Sequence, residues 1–523
     1  MSYFAIIGKR KGESVVRNLS KLLFQRVVVV SLSILLQIAF VLLSAFYLKD
    51  NQRWVGAVMT LLSWISVMHI MSGRNNPSYK IAWIVLILVF PVAGITIYLL
   101  FGGNKTSSRE NKKMGAIEAV TLRSLTQDAP TLAALQDAGP AYNHARYLLE
   151  AAHYPVYRAG ETVYFPDGES CYTQMLAELE KAEHYIFLEF FIIEKGVMWD
   201  GILEILHRKA LAGVDVRVIY DDFGCITRLP MRYAKKLSEL GIRAKAFNPY
   251  VPILSARLNN RDHRKLMIID GRAAFTGGVN LADEYINRTH PYGRWKDCGL
   301  LVRGQPAWSM TVMFLSMWDY VAGLEAPVEA FRPLNVPQGE EKGFVQPFAD
   351  SPIDGEDVGA TVLQSLISGA QRSIRIMTPY LILDDKMTSS LCVAAKSGVD
   401  VRIITPGVPD KWYVHAVTRA NYEVLTESGV RIFEFRPGFL HAKVCLVDGQ
   451  SAMVGTVNLD FRSLYLHFED AVHLHGTDSI AQIARDFEAT FPECTEITSA
   501  RCRHVYLHQR LGRTLLRMFS PLM

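Results

Sequence analysis

The stretch His263-Arg264-Lys265-Leu266-Met267-Ile268-Ile269-Asp270 decides how this chain is read, because it returns as His441-Ala442-Lys443-Val444-Cys445-Leu446-Val447-Asp448. Each copy is followed by a tetrad ending in Asn, Gly277-Gly278-Val279-Asn280 and Gly455-Thr456-Val457-Asn458. In both copies the Asn stands 17 residues beyond the His. One match arises easily by chance; two with the same internal spacing do not. Alternate residues of a β-strand share a face, so His and Lys project together while the apolar run that follows carries the strand into a core. Asp270 and Asp448 close the motif just before a Gly. They are taken with the His and Lys residues as candidate catalytic groups, although their place at a strand end suits a turn support.

Working outward, the same order of elements surrounds each copy. Tyr172 to Glu183 has helical spacing, Tyr185 to Ile193 is a β-rich run, Met198 to Ala212 reads as helix and Val214 to Tyr220 as strand. Later, Val362 to Ala370 reads as helix, Ser373 to Thr378 as strand, Met387 to Ser397 as helix and Val399 to Ile404 as strand. The phrase Gly213-Val214-Asp215-Val216-Arg217-Val218-Ile219 recurs as Gly398-Val399-Asp400-Val401-Arg402-Ile403-Ile404. Strand, helix, strand implies parallel βαβ units, hence an α/β fold. A linker with Pro327, Pro333 and Pro337 lies between the halves. Two fused domains, 114–335 and 336–500, account for the duplication.

Paired His and Lys suit attack on a phosphodiester. A neutral His can form a covalent phosphohistidine, splitting one hard displacement into two. A second His can protonate the leaving alcohol and then activate the incoming one. Two Lys, with Asn280, Asn458 and Thr456 as candidate phosphate-binding residues, can hold the non-bridging oxygens. An imidazole in such a role wants a carboxylate on its other nitrogen, and Asp297 and Glu469, downstream of the two motifs, are candidates. No metal-ligand spacing is visible, and neither metal nor cofactor is expected.

Charge is uneven. Residues 1–113 hold 14 Lys+Arg and 3 Asp+Glu, a balance of +11; the remaining 42 basic and 48 acidic residues balance at −6. An acidic body speaks against a nucleic-acid partner, while a basic, greasy start suits an anionic membrane surface. Three apolar runs, Val27 to Leu48, Trp54 to Met71 and Ile81 to Phe101, approach the roughly 20 residues that cross a bilayer as a helix. They define a membrane anchor over 1–113 with two or three transmembrane helices. Lys9, Arg10, Lys11, Arg17, Lys21 and Arg26 place the start of the chain inside. Three spans would then put the body outside, whereas Lys105, Arg109, Lys112 and Lys113 argue for the inside. The seven cysteines form no Cys-x-x-Cys pair and read as reduced. The tail 501–523, with Arg503, Arg510, Arg513 and Arg517 among leucines, reads as a basic amphipathic helix, lying on a membrane or packed on its own domain.

On these residues the chain resembles the phospholipase D superfamily and, within it, the bacterial cardiolipin synthases. The likeness rests on the paired motifs and on Leu258-Asn259-Asn260-Arg261-Asp262-His263. It also rests on Ile186 to Phe191, Tyr220-Asp221-Asp222-Phe223-Gly224, Thr378-Pro379-Tyr380 and Pro437 to Lys443. In the membrane segment it rests on Ala82-Trp83, Pro91 to Gly94 and Tyr98 to Gly102. Thr456 departs from it, standing where the first half has Gly278. The resemblance implies N-terminal transmembrane helices followed by two fused phospholipase D-like α/β domains with an active site at their interface. It implies transfer of a phosphatidyl group between two phosphatidylglycerol molecules at the bacterial plasma membrane, giving cardiolipin and glycerol, with His263 as nucleophile and His441 as general acid/base. The residues leave the order of the two histidines open. A lipid hydrolase, another phosphatidyltransferase and, from another class, a non-enzymatic membrane scaffold are the alternatives.

Overall fold

The computed structural model describes residues 26–46, 52–73, 76–102, 108–158, 160–249, 260–324, 327–333, 343–503 and 507–520. Two compact units result, one made of the helices before residue 107 and one holding the body. The basic residues before Arg26, Lys105, Leu258, Asn259 and most of the Pro-rich linker lie outside the described residues.

The first unit contains helices Arg26–Phe46, Gln52–Ser72, Pro77–Val89 and Pro91–Phe101. On the residues whose side chains are described, one helix, Trp54–Ser72, is long and apolar enough to cross a membrane. The third apolar run departs from expectation: it is a hairpin of two short helices. Helix geometry breaks at Phe90 (φ −128°, ψ 75°), since Pro91 disfavours helical backbone in the residue before it and starts the next helix well. Gly94 makes the fold-back possible, because a Cβ there would sit 2.7 Å from Ile87 Cα. The first N–H groups of the new helix have no acceptor within it, and the buried Gln37 Oε1 supplies one, accepting from Val92 N (3.0 Å) and Ala93 N (3.3 Å). Tyr79 Oη donates to Gly102 O (3.3 Å), so the hairpin's two ends meet.

The body is mixed α/β with two sheets. The first half supplies β2 to β8: after β1 (Tyr157–Arg158) come β2 (Thr162–Phe165), β3 (Tyr185–Phe190), β4 (Asp215–Asp221), β5 (Arg243–Phe247), β6 (Lys265–Ile269), β7 (Ala273–Gly277) and β8 (Gly299–Arg303). The second half supplies β9 (Phe344–Asp350), β10 (Ser373–Met377), β11 (Asp400–Pro406), β12 (Arg431–Phe435), β13 (Val444–Val447), β14 (Ser451–Gly455), β15 (Glu469–His475) and β16 (Cys494–Ile497).

Strand order in the first sheet is β2-β8-β7-β6-β3-β4-β5; the second repeats it as β9-β15-β14-β13-β10-β11-β12, with β1 and β16 added at its edges. The repeated Gly-Val-Asp-Val-Arg phrases begin β4 and β11, each parallel to the strand before it, β3 and β10. Helices Val197–Leu211 and Asp385–Lys396 make those crossovers. The two sheets share one apolar core, in which Phe187 and Ile268 of the first join Phe348, Ile376 and Leu474 of the second. Helix Pro306–Ala322 runs through it, every residue from Pro306 to Asp319 buried. A helix apolar all round is what such a position requires. The C-terminal helix Leu507–Met518 lays Leu516 against Ile382, Val417 and Phe461 of the body, while Leu515 is exposed.

Candidate active site

The motif strands β6 and β13 start at the end of their sheets where the parallel strands finish: Lys265 pairs with Phe190, the last residue of β3, and Val444 with Met377, the last of β10. The His of each motif therefore sits just off the sheet edge, where open α/β sheets place their ligands. His263, Lys265, His441 and Lys443 are all buried. Each Lys Nζ donates to the carbonyl of its own His, Lys265 to His263 O at 2.7 Å and Lys443 to His441 O.

The two halves are stitched together at these histidines. Phe468 N donates to Arg261 O (2.8 Å) and His263 N to Phe468 O (2.9 Å). In mirror fashion Lys296 N donates to Phe439 O (2.9 Å) and His441 N to Lys296 O (2.7 Å). These bridges carry the carboxylates across. His263 Nδ1 lies 2.8 Å from Glu469 Oε2, and His441 Nδ1 lies 2.8 Å from Asp297 Oδ2. Each of the two expected carboxylates thus lies at hydrogen-bond distance from the histidine of the opposite half.

Burial pushes the His263 imidazole down to about 3 and that of His441 to about 4, Lys443 adding to the latter, so both rings are neutral at pH 7. Burial also lowers Lys265 to about 8 and Lys443 to about 7. Burial works against the two carboxylates, yet His263 holds Glu469 well below the usual carboxylate range, and His441 with Lys443 lowers Asp297. The Lys265 ammonium weakens proton binding at both His441 and Lys443, so charge on one motif is felt at the other.

Three expectations need correction. Asp270 and Asp448 stand apart from the histidines. Asp270 accepts backbone N–H bonds from Glu183, His184 and Tyr185 (2.7–2.8 Å), and Asp448 from Gln371, Arg372 and Ser373 (2.7–2.9 Å). Each takes a left-handed turn conformation, φ 52° and 55°, with the next Gly alike. Asp270 follows the last residue of β6, five residues from Lys265, which on an extended strand is roughly 16 Å. Thr456, expected to face phosphate, is fully buried and bonds Glu469 Oε2 and Asp470 O (3.1 Å) instead. The corresponding Gly278 leaves room for the other carboxylate, since a Cβ there would lie 1.8 Å from Asp297 Oδ1. Asn280 is tied into the framework, accepting from Ile192 N (3.0 Å) and donating to Tyr285 Oη (2.8 Å). Asn458 is buried with Oδ1 unpartnered among the described residues.

Comparison with known proteins agrees with this architecture. The family described as "Cardiolipin synthase, PLD-like domain" matches residues 175–292 and 363–491, and the one described as "Phospholipase_D-nuclease N-terminal" matches 58–103. A cardiolipin synthase of Geobacillus kaustophilus is 35% identical over 93% of this chain and 98% of its own length. This chain belongs to the cardiolipin synthase family. An uncharacterized Streptococcus mutans protein is 39% identical over 88% of this chain and 99% of its own. The fold is that of a crystal structure of phosphatidylserine synthase from Haemophilus influenzae, with a TM-score of 0.55 and 13% identity over 73% of this chain and 97% of that one.

In this cardiolipin synthase family member, further residues support the motif beyond those the motif spacing picks out. Asp470 accepts from Lys265 N (3.1 Å) and from the Thr276 hydroxyl. Asp221 accepts from Phe223 N and Gly224 N (2.9 Å each) and Asp262 N (3.1 Å), fixing the approach to His263. Lys296 bonds the buried Asp486 at 2.7 Å, clamping the segment that carries Asp297. Asp221 lies within a phrase that carries the family likeness. The partners of Asp470 and Asp486 lie nearly two hundred residues or more away, too distant to leave a local signal.

Proposed function

We propose that this chain condenses two phosphatidylglycerol molecules into cardiolipin and glycerol through a phosphohistidine. The observation that carries this reading is the crossed pair of buried, neutral histidines, each braced by the other half's carboxylate and accompanied by a buried lysine. His263 Nε2 attacks the phosphorus of the first phosphatidylglycerol while the P–O bond to its glycerol breaks. His441, protonated when the anionic phosphate enters, gives its proton to the leaving glycerol oxygen. The emptied His441 nitrogen then takes the proton of the second molecule's terminal hydroxyl, whose oxygen displaces His263 and forms cardiolipin. Lys265 and Lys443 hold the charge on the non-bridging oxygens. The assignment of His263 as nucleophile follows the family likeness of Arg261-Asp262-His263.

The test is incubation of purified protein with phosphatidylglycerol in vesicles, following cardiolipin, glycerol and phosphatidic acid. Cardiolipin with one glycerol per molecule is expected; phosphatidic acid alone would identify a hydrolase. Radiolabelled phosphatidyl trapped on the protein in His441→Ala but absent in His263→Ala assigns the nucleophile; the opposite pattern exchanges the roles.

We further propose that Arg26–Phe46 and Trp54–Ser72 span the membrane and that the hairpin enters without crossing. Its helices of 13 and 11 residues are about 20 Å and 17 Å long, short of a hydrocarbon core of about 30 Å. Its ends meet at Tyr79 and Gly102, which supports entry and exit on one side. Two spans keep both the basic start and the residues after Ser108 cytoplasmic. Reporter fusions after Gly102 and at the C-terminus are expected to show the cytoplasmic phenotype; an external C-terminus would mean an odd number of spans.

A further inference from the structure

The His263 side of the site carries a third imidazole that the transfer chemistry leaves unused. His467 stands two residues before Glu469, as Trp295 stands two before Asp297. Trp295 Nε1 donates to Asp297 Oδ2 (3.3 Å). His467 instead places Nδ1 3.8 Å from Glu469 Oε1, beyond hydrogen-bond length. Both ring nitrogens of His467 and the Oε1 of the fully buried Glu469 lack hydrogen-bond partners among the described residues. Leaving buried polar atoms unpaired costs about 1–3 kcal/mol each, so the arrangement asks for an occupant.

The His263 and His467 ring centroids are 5.7 Å apart, and one ligand atom from each of His263, His467 and Glu469 lies within 4.8 Å of the others. Zinc bonds to nitrogen and oxygen of about 2.0–2.2 Å set tetrahedral ligands roughly 3.3–3.6 Å apart, so a small inward movement closes the site. Two imidazoles and one carboxylate suit a borderline transition metal; magnesium and calcium prefer oxygen cages. The sequence hides the set, because His263 and His467 lie far apart along the chain. The indole at Trp295 cannot ligate a cation, so the first half has no counterpart.

We propose that His263, His467 and Glu469 form a zinc-class metal site, one per chain, whose occupation stops turnover by withdrawing His263 from the reaction. The inhibition rests on His263 being a reacting residue; the binding does not.

Full-length protein in detergent, freed of metal with a chelator, is titrated with Co2+ as a spectroscopic probe and, separately, with Zn2+ during turnover of phosphatidylglycerol. One Co2+ per chain, displaced by Zn2+, is expected, with activity lost on adding Zn2+ but not Mg2+ and regained with chelator. His467→Gln, compared with its own metal-free rate, is expected to need at least about 30-fold more Zn2+ for half-inhibition and to weaken Co2+ binding similarly, in the range seen when metal-site support is lost. His441→Ala keeps all three ligands and gives the binding readout without turnover. Unchanged Co2+ affinity in His467→Gln, or no Co2+ binding by His441→Ala and the parent protein, overturns the site. Activity that vanishes with chelator and returns with Zn2+ overturns the inhibitory role. Stoichiometric Co2+ binding by metal-free protein that turns over no lipid would uphold the site and refute the synthase reading.

Discussion

Asp297→Asn removes one negative charge and changes almost no volume, which makes it a sharp probe of the crossed arrangement. In the native site both carboxylate oxygens are used: Oδ1 accepts from Cys298 N (2.8 Å), and Oδ2 faces His441 Nδ1 (2.8 Å) and Trp295 Nε1 (3.3 Å). Asparagine has one acceptor oxygen. The backbone N–H of Cys298 cannot turn away, so it keeps that oxygen and the amide NH2 points at the imidazole. His441 must then accept at Nδ1 and carry its proton on Nε2, the nitrogen meant to receive one. A charge-assisted hydrogen bond worth about 1.5–3 kcal/mol is lost. Lys443, already lowered to about 7 by burial and held up by Asp297, falls further and is mostly neutral at pH 7. Together about 3–5 kcal/mol of transition-state stabilisation disappears, roughly 10²- to 10⁴-fold in rate. Initial rates of cardiolipin formation in mixed micelles, with near-UV circular dichroism to check folding, measure this; kcat should fall far more than KM changes. A folded Asp297→Asn protein within about tenfold of the parent rate would refute the orienting role and, with it, the claim that each half completes the other's site.

Other outcomes follow from the same geometry. Gly278→Ala puts a methyl where Asp297 Oδ1 must lie and should cost at least about 100-fold in kcat, whereas Thr456→Val removes one hydroxyl bond to Glu469 and should cost only about 3- to 10-fold; parallel rate measurements check the ranking. With Lys443 at about 7 and Lys265 at about 8 in the free site, the phosphate-holding ammonium forms exist below those values. kcat/KM should therefore fall as pH rises through 7 to 8, and kcat should fall only at higher pH because bound phosphate strengthens proton binding; a kcat/KM that climbs over that range would show the neutral lysines to be the working forms. Asp270→Asn and Asp448→Asn each loosen a carboxylate that accepts three backbone bonds. Each should destabilise the fold by about 2–4 kcal/mol, seen as a lower melting temperature, while the folded fraction turns over normally.

The strand-forming runs, the repeated Gly-Val-Asp-Val-Arg phrase and the twin motifs were readable because they are local patterns repeated within the chain. Period-two alternation places His and Lys on one face whatever the rest of the fold does. The same logic pointed to a turn role for Asp270 and Asp448, and their left-handed backbone and three-fold backbone capping show why that residue type stands there. The third apolar run misled, because hydropathy measures greasiness and not direction. Pro91, Gly94 and a cap offered by Gln37, more than fifty residues earlier, turn a span-length run into a hairpin.

By itself the sequence determined that two similar α/β halves exist, that each brings one His and one Lys to a strand start, and that a greasy basic segment precedes them. It also supplied Asp297 and Glu469 as the carboxylates available. Only the tertiary structure decided which carboxylate meets which histidine. That choice depends on the bridges from Phe468 to the His263 segment and from Lys296 to the His441 segment, and these join residues well over a hundred positions apart. Hydrogen bonds of that range leave no periodicity in a sequence. The physical outcome is a pair of buried, neutral histidines, each facing a carboxylate brought by the opposite sheet.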